Sequence, residues 1–271
     1  MLLEPDTYAS VHSLFEDMTC HLAVVTVLAG ILKGRIYVDA PASPGTAVLI
    51  PSNRHRVYVS GEPDPRLLAN VIHLLAEESL EGSYRFVMYY DPSHPWQPAL
   101  EQVLQKQEVD SRKRQFYRLR EPSRKAPSSL PASITIGRID EIMVGDTTLV
   151  NRDLLLEEIH SESPSLEHFF RQNFGFCARD GHELVAWCLA EYHCQGRYEL
   201  GIETLEAYQR QGIATYLADA VIQHAFAQGA SEIGWHCWAT NTPSVATALK
   251  LGFEKVLDYP VCYGHVSTFF S

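Results

Sequence analysis

The stretch from Tyr198 to Ala214 reads YELGIETLEAYQRQGIA and decides the fold prediction. It predicts a strand over 198–204 that runs through a short turn into a helix over 212–228. Apolar residues recur at helical spacing in this second part, and Gly229 suits the carboxyl end of the helix. A strand, a turn containing glycine and a helix start therefore follow one another directly.

This order of elements predicts an anion site at the start of the helix. The first turn of a helix has amide groups without intrahelical partners and a partial positive charge, so it binds phosphate. Gly212 lets the backbone approach a bulky anion, and the small Ala214 serves the same purpose. Packing explains a glycine and an alanine here equally well, so these two residues alone leave both interpretations open. No P-loop lysine follows, and the three glycines of a dinucleotide fingerprint are absent.

A second stretch continues the pattern. The predicted strand 231–238 leads to Asn241, and a predicted helix over 244–251 closes with KLGF at 250–253. Thr242 is expected to cap this helix and Pro243 to occupy its first position.

The turn Gln209-x-x-Gly212-x-Ala214 resembles the Q/R-x-x-G-x-G/A pyrophosphate motif of the GNAT N-acetyltransferase superfamily. Asn241 and the KLGF segment resemble the second half of the same core. The closer resemblance is to a bacterial subgroup that includes the zwittermicin A resistance acetyltransferase. Three segments carry it: ELGIET at 199–204, WHCW at 235–238 and LAGILKGRIYVD at 28–39.

The resemblance implies an α+β (α/β-like) fold, with a GNAT fold in the C-terminal half. It covers the chain strongly after Phe174 and loosely before Arg120. No pyrophosphate motif follows the predicted strand at 56–59, so the first half is expected to be a degenerate GNAT-like lobe. The predicted domains are a lobe over 1–120, a linker over 121–133 and an acetyltransferase domain over 134–271.

The linker reads EPSRKAPSSLPAS, which disfavours both helix and central strand. The basic residues just before and inside it fit a solvated strand face or a contact with an acidic partner. Other elements are predicted from periodicity and turn residues. They are helices over 11–32, 67–75, 98–105, 154–160 and 165–170, strands over 35–38, 47–50 and 84–90, a hairpin over 174–178 and 183–190, and a last strand over 261–268.

The composition limits the classes of function. Of 271 residues, 46% are hydrophobic and 20% charged, which is typical of globular proteins. The formal net charge of -11 argues against an extended nucleic-acid surface, because such binding depends on neutralising phosphates. The apolar stretch 22–32 is shorter than the roughly 20 residues of a membrane span, and no secretory signal is apparent. The six cysteines form no C-x-x-C pair, so we predict no metal site and a cytoplasmic protein without membrane partners.

The resemblance also implies a reaction, namely direct transfer of an acetyl group from acetyl-CoA to a primary amine of a small molecule. The backbone of Glu203 and Thr204 would pair with the pantetheine arm, and the Thr204 amide would stabilise the thioester oxygen. Asn241 would hold the arm or the next helix start. The pyrophosphate would be bound by Gln209, Arg210, Gln211, Gly212, Ile213, Ala214 and Thr215.

Either Glu203 or Glu199 is expected to take the proton of the acceptor ammonium, because both fall on one face of the strand. Many family members carry a tyrosine acid seven residues after the asparagine, where this chain has Ala248. Water, Tyr259 and Tyr263 are left open as substitutes. A CoA-binding regulatory module without transfer is the alternative function, a peptide acceptor is a third option, and a homodimer is left open.

Overall fold

The computed structural model describes residues 1–52, 55–79, 83–91, 94–104, 108–122 and 130–267. The chain divides into two compact units, Met1–Arg114 with Tyr259–Ser271, and Gln115–Asp258. The first change of unit therefore falls upstream of the predicted linker at 121–133, of which residues 123–129 lie outside the described ranges. The C-terminal segment belongs to the first unit, whereas the sequence assigned it to the domain 134–271.

The described part of the first unit combines a mixed sheet with three α-helices and two 3-10 helices. β1 and β2, β2 and β3, and β4 and β11 pair antiparallel, whereas β3 and β4 pair parallel. Its elements are β1 (Gly34–Val38), β2 (Thr46–Pro51), β3 (Arg56–Gly61), β4 (Ser83–Tyr90), α1 (Leu22–Leu28), α2 (Pro65–Glu77) and α3 (Trp96–Leu104). β5 (Glu108–Leu119) and β11 (Glu254–Ser267) each contain a residue at which the chain changes unit.

The second unit has a sheet with helices on both faces. β6, β7, β8 and β9 pair antiparallel in sequence order, and β10 joins β9 in parallel. Its strands are β6 (Ile134–Arg138), β7 (Phe174–Asp180), β8 (Glu183–Cys194), β9 (Arg197–Thr204) and β10 (Glu232–Trp238). Its helices are α4 (Glu141–Gly145), α5 (Arg152–Glu162), α6 (Leu166–Gln172), α7 (Ile213–Ala227) and α8 (Thr242–Lys250). These elements confirm the predicted α+β class.

Side-chain alternation along the strands fills a separate apolar core on each face of this second sheet. On one face, residues such as Ala186 and Leu200 pack with Leu217 and Val221 of α7. On the other face, Trp187 and Leu189 pack with Leu155, Ile159 and Phe169 of α5 and α6. Because neighbouring strand residues point to opposite faces, β7 and β8 anchor both layers.

Of the local predictions, the β-hairpin is confirmed and two predictions about helices are wrong. Asp64 caps α2, because its Oδ1 accepts hydrogen bonds from the amides of Arg66 and Leu67. The predicted hairpin is present as β7 and β8, with Gly181 in the left-handed region at φ +59°. Thr242 does not cap α8. The cap is Asn241, whose Oδ1 accepts from the Ser244 amide at 3.1 Å.

The predicted helix over 11–32 is the second error. Residues Pro5–Val11 and Ser13–Met18 form 3-10 helices, and α-helix begins only at Leu22. Hydrogen bonds of the i to i+3 type close these turns, as from the amide of His21 to the carbonyl of Met18. Apolar residues spaced three or four apart suit either helix type, so periodicity did not separate them. β6 and α4 were not predicted.

His21 lies at the centre of an aromatic cluster in the first unit. Its ring centroid is 5.5 Å from that of Tyr58, 5.1 Å from Tyr89 and 5.0 Å from Tyr259. Burial, and to a smaller extent the positive charges of Arg114 and Arg56, lower the pKa of His21 to about 3. The histidine is therefore neutral in the folded protein at physiological pH.

This pKa predicts a pH-dependent stability. Between pH 3 and 6.5 the unfolded chain binds a proton at His21 that the folded chain does not, so the free energy of unfolding rises with pH in that window. We expect His21→Gln to reduce this slope by up to about 1.4 kcal/mol per pH unit. Urea unfolding followed by circular dichroism measures the slope of the free energy of unfolding against pH. His73→Gln, at an exposed position on α2, is the control. Equal slopes in the parent and His21→Gln proteins would contradict the prediction.

Candidate active site

A fork in the second sheet defines the candidate site. β9 and β10 pair in parallel over four positions, from Arg197 with Glu232 to Leu200 with Trp235. Both strands then continue, as Gly201–Thr204 and His236–Trp238, with no further paired positions between them in the described structure. Backbone groups of one strand are thus left facing open space rather than a neighbouring strand.

The alternation of the ladder decides which amides face this space. The Leu205 amide donates to the Val185 carbonyl on β8 at 3.0 Å. In an antiparallel ladder, residues two apart point to the same side, so the amide of Glu203 also faces β8. The amides of Thr204 and Ile202 point the opposite way. The sequence predicted that the backbone of Glu203 and Thr204 pairs with the pantetheine arm. Of these two, only the Thr204 amide faces the fork. The Ile202 amide, which the sequence did not identify, faces it as well.

The turn between β9 and α7 is shaped for a group close to the backbone. Arg210 and Gly212 have positive φ angles of 60° and 82°, and no side chain caps the helix at Gly212. Gln209 Nε2 donates to the Thr204 carbonyl at 3.1 Å, and Gln211 Nε2 donates to the Ala207 carbonyl at 3.2 Å. Both glutamines therefore brace the turn.

The amides at the start of α7 are unpaired. The first helical hydrogen bond runs from the Tyr216 amide to the Gly212 carbonyl. Within the described residues, the amides of Ile213, Ala214 and Thr215 have no hydrogen-bond acceptor. Three converging N–H groups and the positive end of a 15-residue helix can hold an anion.

The fork and this turn open into one cleft of about 630 Å³. Its lining includes nine of the eleven predicted site residues, namely Glu203, Thr204, Gln209, Arg210, Gly212, Ile213, Ala214, Thr215 and Asn241. Glu199 and Gln211 are not part of the lining. The lining also contains seven residues that the sequence analysis did not name as site residues, namely Ile202, Tyr208, Trp235, Pro243, Ser244, Thr247 and Lys250. The volume lies in the range of small-molecule sites.

The two predicted carboxylates differ in environment. The extra residue of the bulge between β8 and β9 belongs to β8, so the alternation along β9 is continuous and Glu199 and Glu203 point to the same face, as predicted. Glu203 is exposed at the cleft, whereas Glu199 is buried and contacts His236, with 3.8 Å between Oε2 and Nε2. The His236 side chain is 4% exposed, and its ring stacks on Phe116 at a centroid distance of 4.6 Å.

A third carboxylate lies at the fork, on a bulge of β8. The register between β8 and β9 shifts at Glu191, and the Glu191 carboxylate crosses the face of Gly201. A Cβ atom built on Gly201 would lie 1.6 Å from Glu191 Oε1, so any side chain at 201 would require the Glu191 carboxylate to move. The sequence analysis missed Glu191, because a bulge on the neighbouring strand leaves no mark near β9 in the sequence.

The face of α8 that borders the cleft is held by Trp235. The Trp235 side chain is buried, packs edge to face against Phe253, and donates from Nε1 to Ser244 Oγ at 3.0 Å. Asn241 caps the same helix. Its side chain therefore fulfils the second of its two expected roles, which is to hold the helix start.

The structure gives no tyrosine in the position of the family's acid. Ala248 is fully buried, and of the proposed substitutes Tyr259 packs against His21 while Tyr263 lies under the Arg112 guanidinium, both in the first unit. Tyr208 does line the cleft, but its hydroxyl donates to the carboxylates of Glu183 and Asp180. Burial and the Glu183 hydrogen bond raise the pKa of Tyr208, which makes it a weaker acid.

Among the described residues, no helix combines the length and apolarity needed to cross a bilayer. No group of three or more His, Cys, Asp or Glu side chains in the same ranges is arranged to hold a metal ion.

Known structures share this fold. A GCN5-related N-acetyltransferase-like protein from Streptococcus suis superposes with a TM-score of 0.72 at 20% identity, covering 96% of this chain and 98% of its own. A GCN5-related N-acetyltransferase from Sphaerobacter thermophilus gives 0.61 at 13% identity, covering 98% and 95%. A tandem GNAT protein from the clavulanic acid biosynthesis pathway gives 0.60 at 12% identity, covering 98% of both chains.

Sequence comparisons agree with the fold. The uncharacterized N-acetyltransferase YdfB of Bacillus subtilis (strain 168) is 28% identical over 256 residues, which cover 94% of this chain and 95% of YdfB. The family model described as GNAT acetyltransferase matches residues 12–262. The cleft, the strand order and these matches together show that the chain is an N-acetyltransferase of the GNAT acetyltransferase family.

Proposed function

We propose that the protein transfers an acetyl group from acetyl-CoA directly to a primary amine of a small molecule. The observation that carries this proposal is the set of unpaired amides of Ile213, Ala214 and Thr215 at one end of a cleft that reaches the fork. A diphosphate and an extended amide-containing arm are the groups that such a cleft suits.

The residues of the cleft fit the parts of this substrate. The three α7 amides would hold the diphosphate, and the exposed Arg210 and Lys250 add positive charge to the same lining. The amides of Ile202 and Thr204 would pair with the arm as a neighbouring strand does. The Thr204 amide would then stabilise the charge that develops on the thioester oxygen.

The acceptor amine must lose a proton before it attacks, because alkylammonium groups have pKa values near 10. We propose Glu203 as the base that meets the amine, since it is the exposed carboxylate of the cleft. Glu199 is the second candidate, and its contact with His236 gives it a route to pass a proton through an imidazole.

A second function is a CoA-binding regulatory module without transfer. The observation that favours it is Ala248, because the chain has a buried methyl group where many family members have an acid. A thiol with a pKa near 8.5 leaves tolerably without that acid, so we keep transfer as the proposed function.

Three further assignments are part of this proposal. We place the chain near the bacterial zwittermicin A resistance subgroup, which the ELGIET and WHCW segments support. We propose that the first unit is a degenerate GNAT-like lobe, and the resemblance to a tandem GNAT protein supports this. A cytoplasmic location and a homodimer remain predictions.

The anion site predicts that Gly212→Glu abolishes or weakens CoA binding at least tenfold, because a carboxylate would meet the diphosphate. Gly229→Glu is the matched control, since Gly229 ends the same helix at φ +88° and a Cβ there meets nothing within 4 Å. Isothermal titration calorimetry with CoA measures both. If Gly212→Glu binds CoA as tightly as Gly229→Glu, the assigned diphosphate site is wrong.

The base assignment predicts that Glu203→Gln lowers kcat/KM for an amine substrate by about 10² or more and removes the acid limb of its pH profile. CoA affinity should not change, because the arm of CoA would pair with the amides of Ile202 and Thr204, whereas the Glu203 amide faces β8. Glu199→Gln tests the second candidate, and Glu254→Gln on exposed β11 is the control. Thiol release from acetyl-CoA over a panel of amines gives the rates. Parent rates in both cleft variants would exclude both carboxylates, and tight CoA binding without turnover of any amine would favour the regulatory module.

A further inference from the structure

Trp235 and Ser244 form a hydrogen-bonded pair in the wall of the cleft. Trp235 Nε1 lies 3.0 Å from Ser244 Oγ, and both residues line the cleft. The indole is 2% exposed, and its edge-to-face contact with Phe253 has centroids 5.5 Å apart at 64°. The indole ring is therefore fixed, and with it the position of the Ser244 oxygen.

The chemistry of indole sets the direction of this hydrogen bond. An indole N–H donates and cannot accept, so Ser244 Oγ must be the acceptor. The hydroxyl proton of Ser244 is then left to donate elsewhere. No described residue accepts it, and the cleft is the open space beside it.

Two other hydroxyl groups of the cleft wall, those of Thr247 and Thr204, are placed differently. Thr247 Oγ1, one turn further along α8, donates to the Pro243 carbonyl at 2.9 Å, so its proton is already used. Thr204 Oγ1 has no partner in the described structure, but less than 1 Å² of this atom is accessible. Ser244 is thus the α8 hydroxyl in the cleft wall that can donate to a ligand.

The position of Ser244 on α8 relates it to the missing acid. Ser244 and Ala248 are four residues apart, so they lie on the same face of the helix one turn from each other. A tyrosine at 248 would be long enough to reach past this turn, whereas the buried methyl of Ala248 reaches nothing in the cleft. Ser244 therefore presents a hydroxyl on the face from which the acid is absent.

We propose that Ser244 donates a hydrogen bond to the sulfur of CoA and stabilises the thiolate as it leaves, with Trp235 as the residue that positions it. This rests on the proposed function, because it requires CoA in the cleft. An alcohol is a far weaker acid than a thiol, so Ser244 keeps its proton and supplies a hydrogen bond rather than an acid.

The step balances without a further reactant. The acceptor ammonium gives one proton to the base, and the neutral amine then gives its electron pair to the carbonyl carbon while the carbonyl electron pair moves to oxygen. The nitrogen of this adduct loses its second proton to solvent water. When that pair returns, the carbon–sulfur bond breaks and its electrons go to sulfur. The Ser244 O–H group meets the charge that forms there, and the products are the amide and the CoA thiolate.

The test is the pKa of the thiol of bound CoA, which requires no acceptor amine. Titrating the ultraviolet thiolate absorbance of the CoA complex, minus that of the desulfo-CoA complex, isolates this thiol from protein tyrosines and cysteines. We expect Ser244→Ala to raise the thiol pKa by about one unit, a tenfold change in ionisation, because a hydrogen bond to a charged group is lost. Ser244→Thr should keep the parent value.

Two further variants separate the Ser244 hydroxyl from general effects on α8. Trp235→Phe keeps an aromatic ring but frees the Ser244 oxygen, so we expect a smaller rise in the same direction. Thr247→Val removes a hydroxyl whose proton is already used, so the thiol pKa should stay at the parent value.

The outcomes distinguish this inference from the function on which it rests. Calorimetry with CoA comes first, and a parent protein that does not bind CoA overturns the proposed function and this inference together. If CoA binds and Ser244→Ala has the parent thiol pKa, the inference alone is overturned. If Ser244→Ala does not fold, the thiol pKa in the CoA complex of Trp235→Phe is the test. An unchanged thiol pKa in this variant overturns the role proposed for Trp235 and Ser244, and a raised one supports it.

Discussion

The early end of the pairing between β9 and β10 is the constraint on which the site depends. Four paired positions hold the two strands together up to Leu200 and Trp235, and the apolar core beneath them fixes their separation. Beyond that point the amides of β9 keep the ladder geometry imposed by β8 but lose a partner on the other side. An unpaired strand edge normally invites association with another chain, and here α7 and α8 leave room beside it for an extended ligand instead.

The geometry of the turn into α7 depends only on residues that are close together in the chain. Gln209 and Gln211 bond back to the chain just before them, and the left-handed Arg210 and Gly212 direct the start of the helix. Because all the contacts of this turn lie between residues 204 and 212, the sequence could predict it. The same holds for the Asp64 cap of α2 and for the β7–β8 hairpin, which also depend on neighbours in the chain.

Some of the wrong predictions, such as the cap of α8, are local, whereas the features that the sequence missed depend on contacts between distant segments. The sequence allowed either Asn241 or Thr242 to cap α8, and the hydrogen bond to the Ser244 amide selects Asn241. Glu199 contacts His236, whose ring stacks on Phe116 from β5, and the close approach of Glu191 to Gly201 depends on a bulge in β8. Strand alternation predicts which residues share a face, but the partners that cover that face come from elsewhere in the fold.

The return of the chain to the first unit has a consequence for how the protein is made. β4 pairs with residues Val261–Ser267 of β11, which are synthesised after the whole of the second unit. Residues 115–258 emerge from the ribosome before that strand is complete, so the second unit can fold while the first unit still lacks one of its strands. Synthesis from the N-terminus would thus complete the second unit before the first, with the edge of β4 open to aggregation until residues 261–267 arrive.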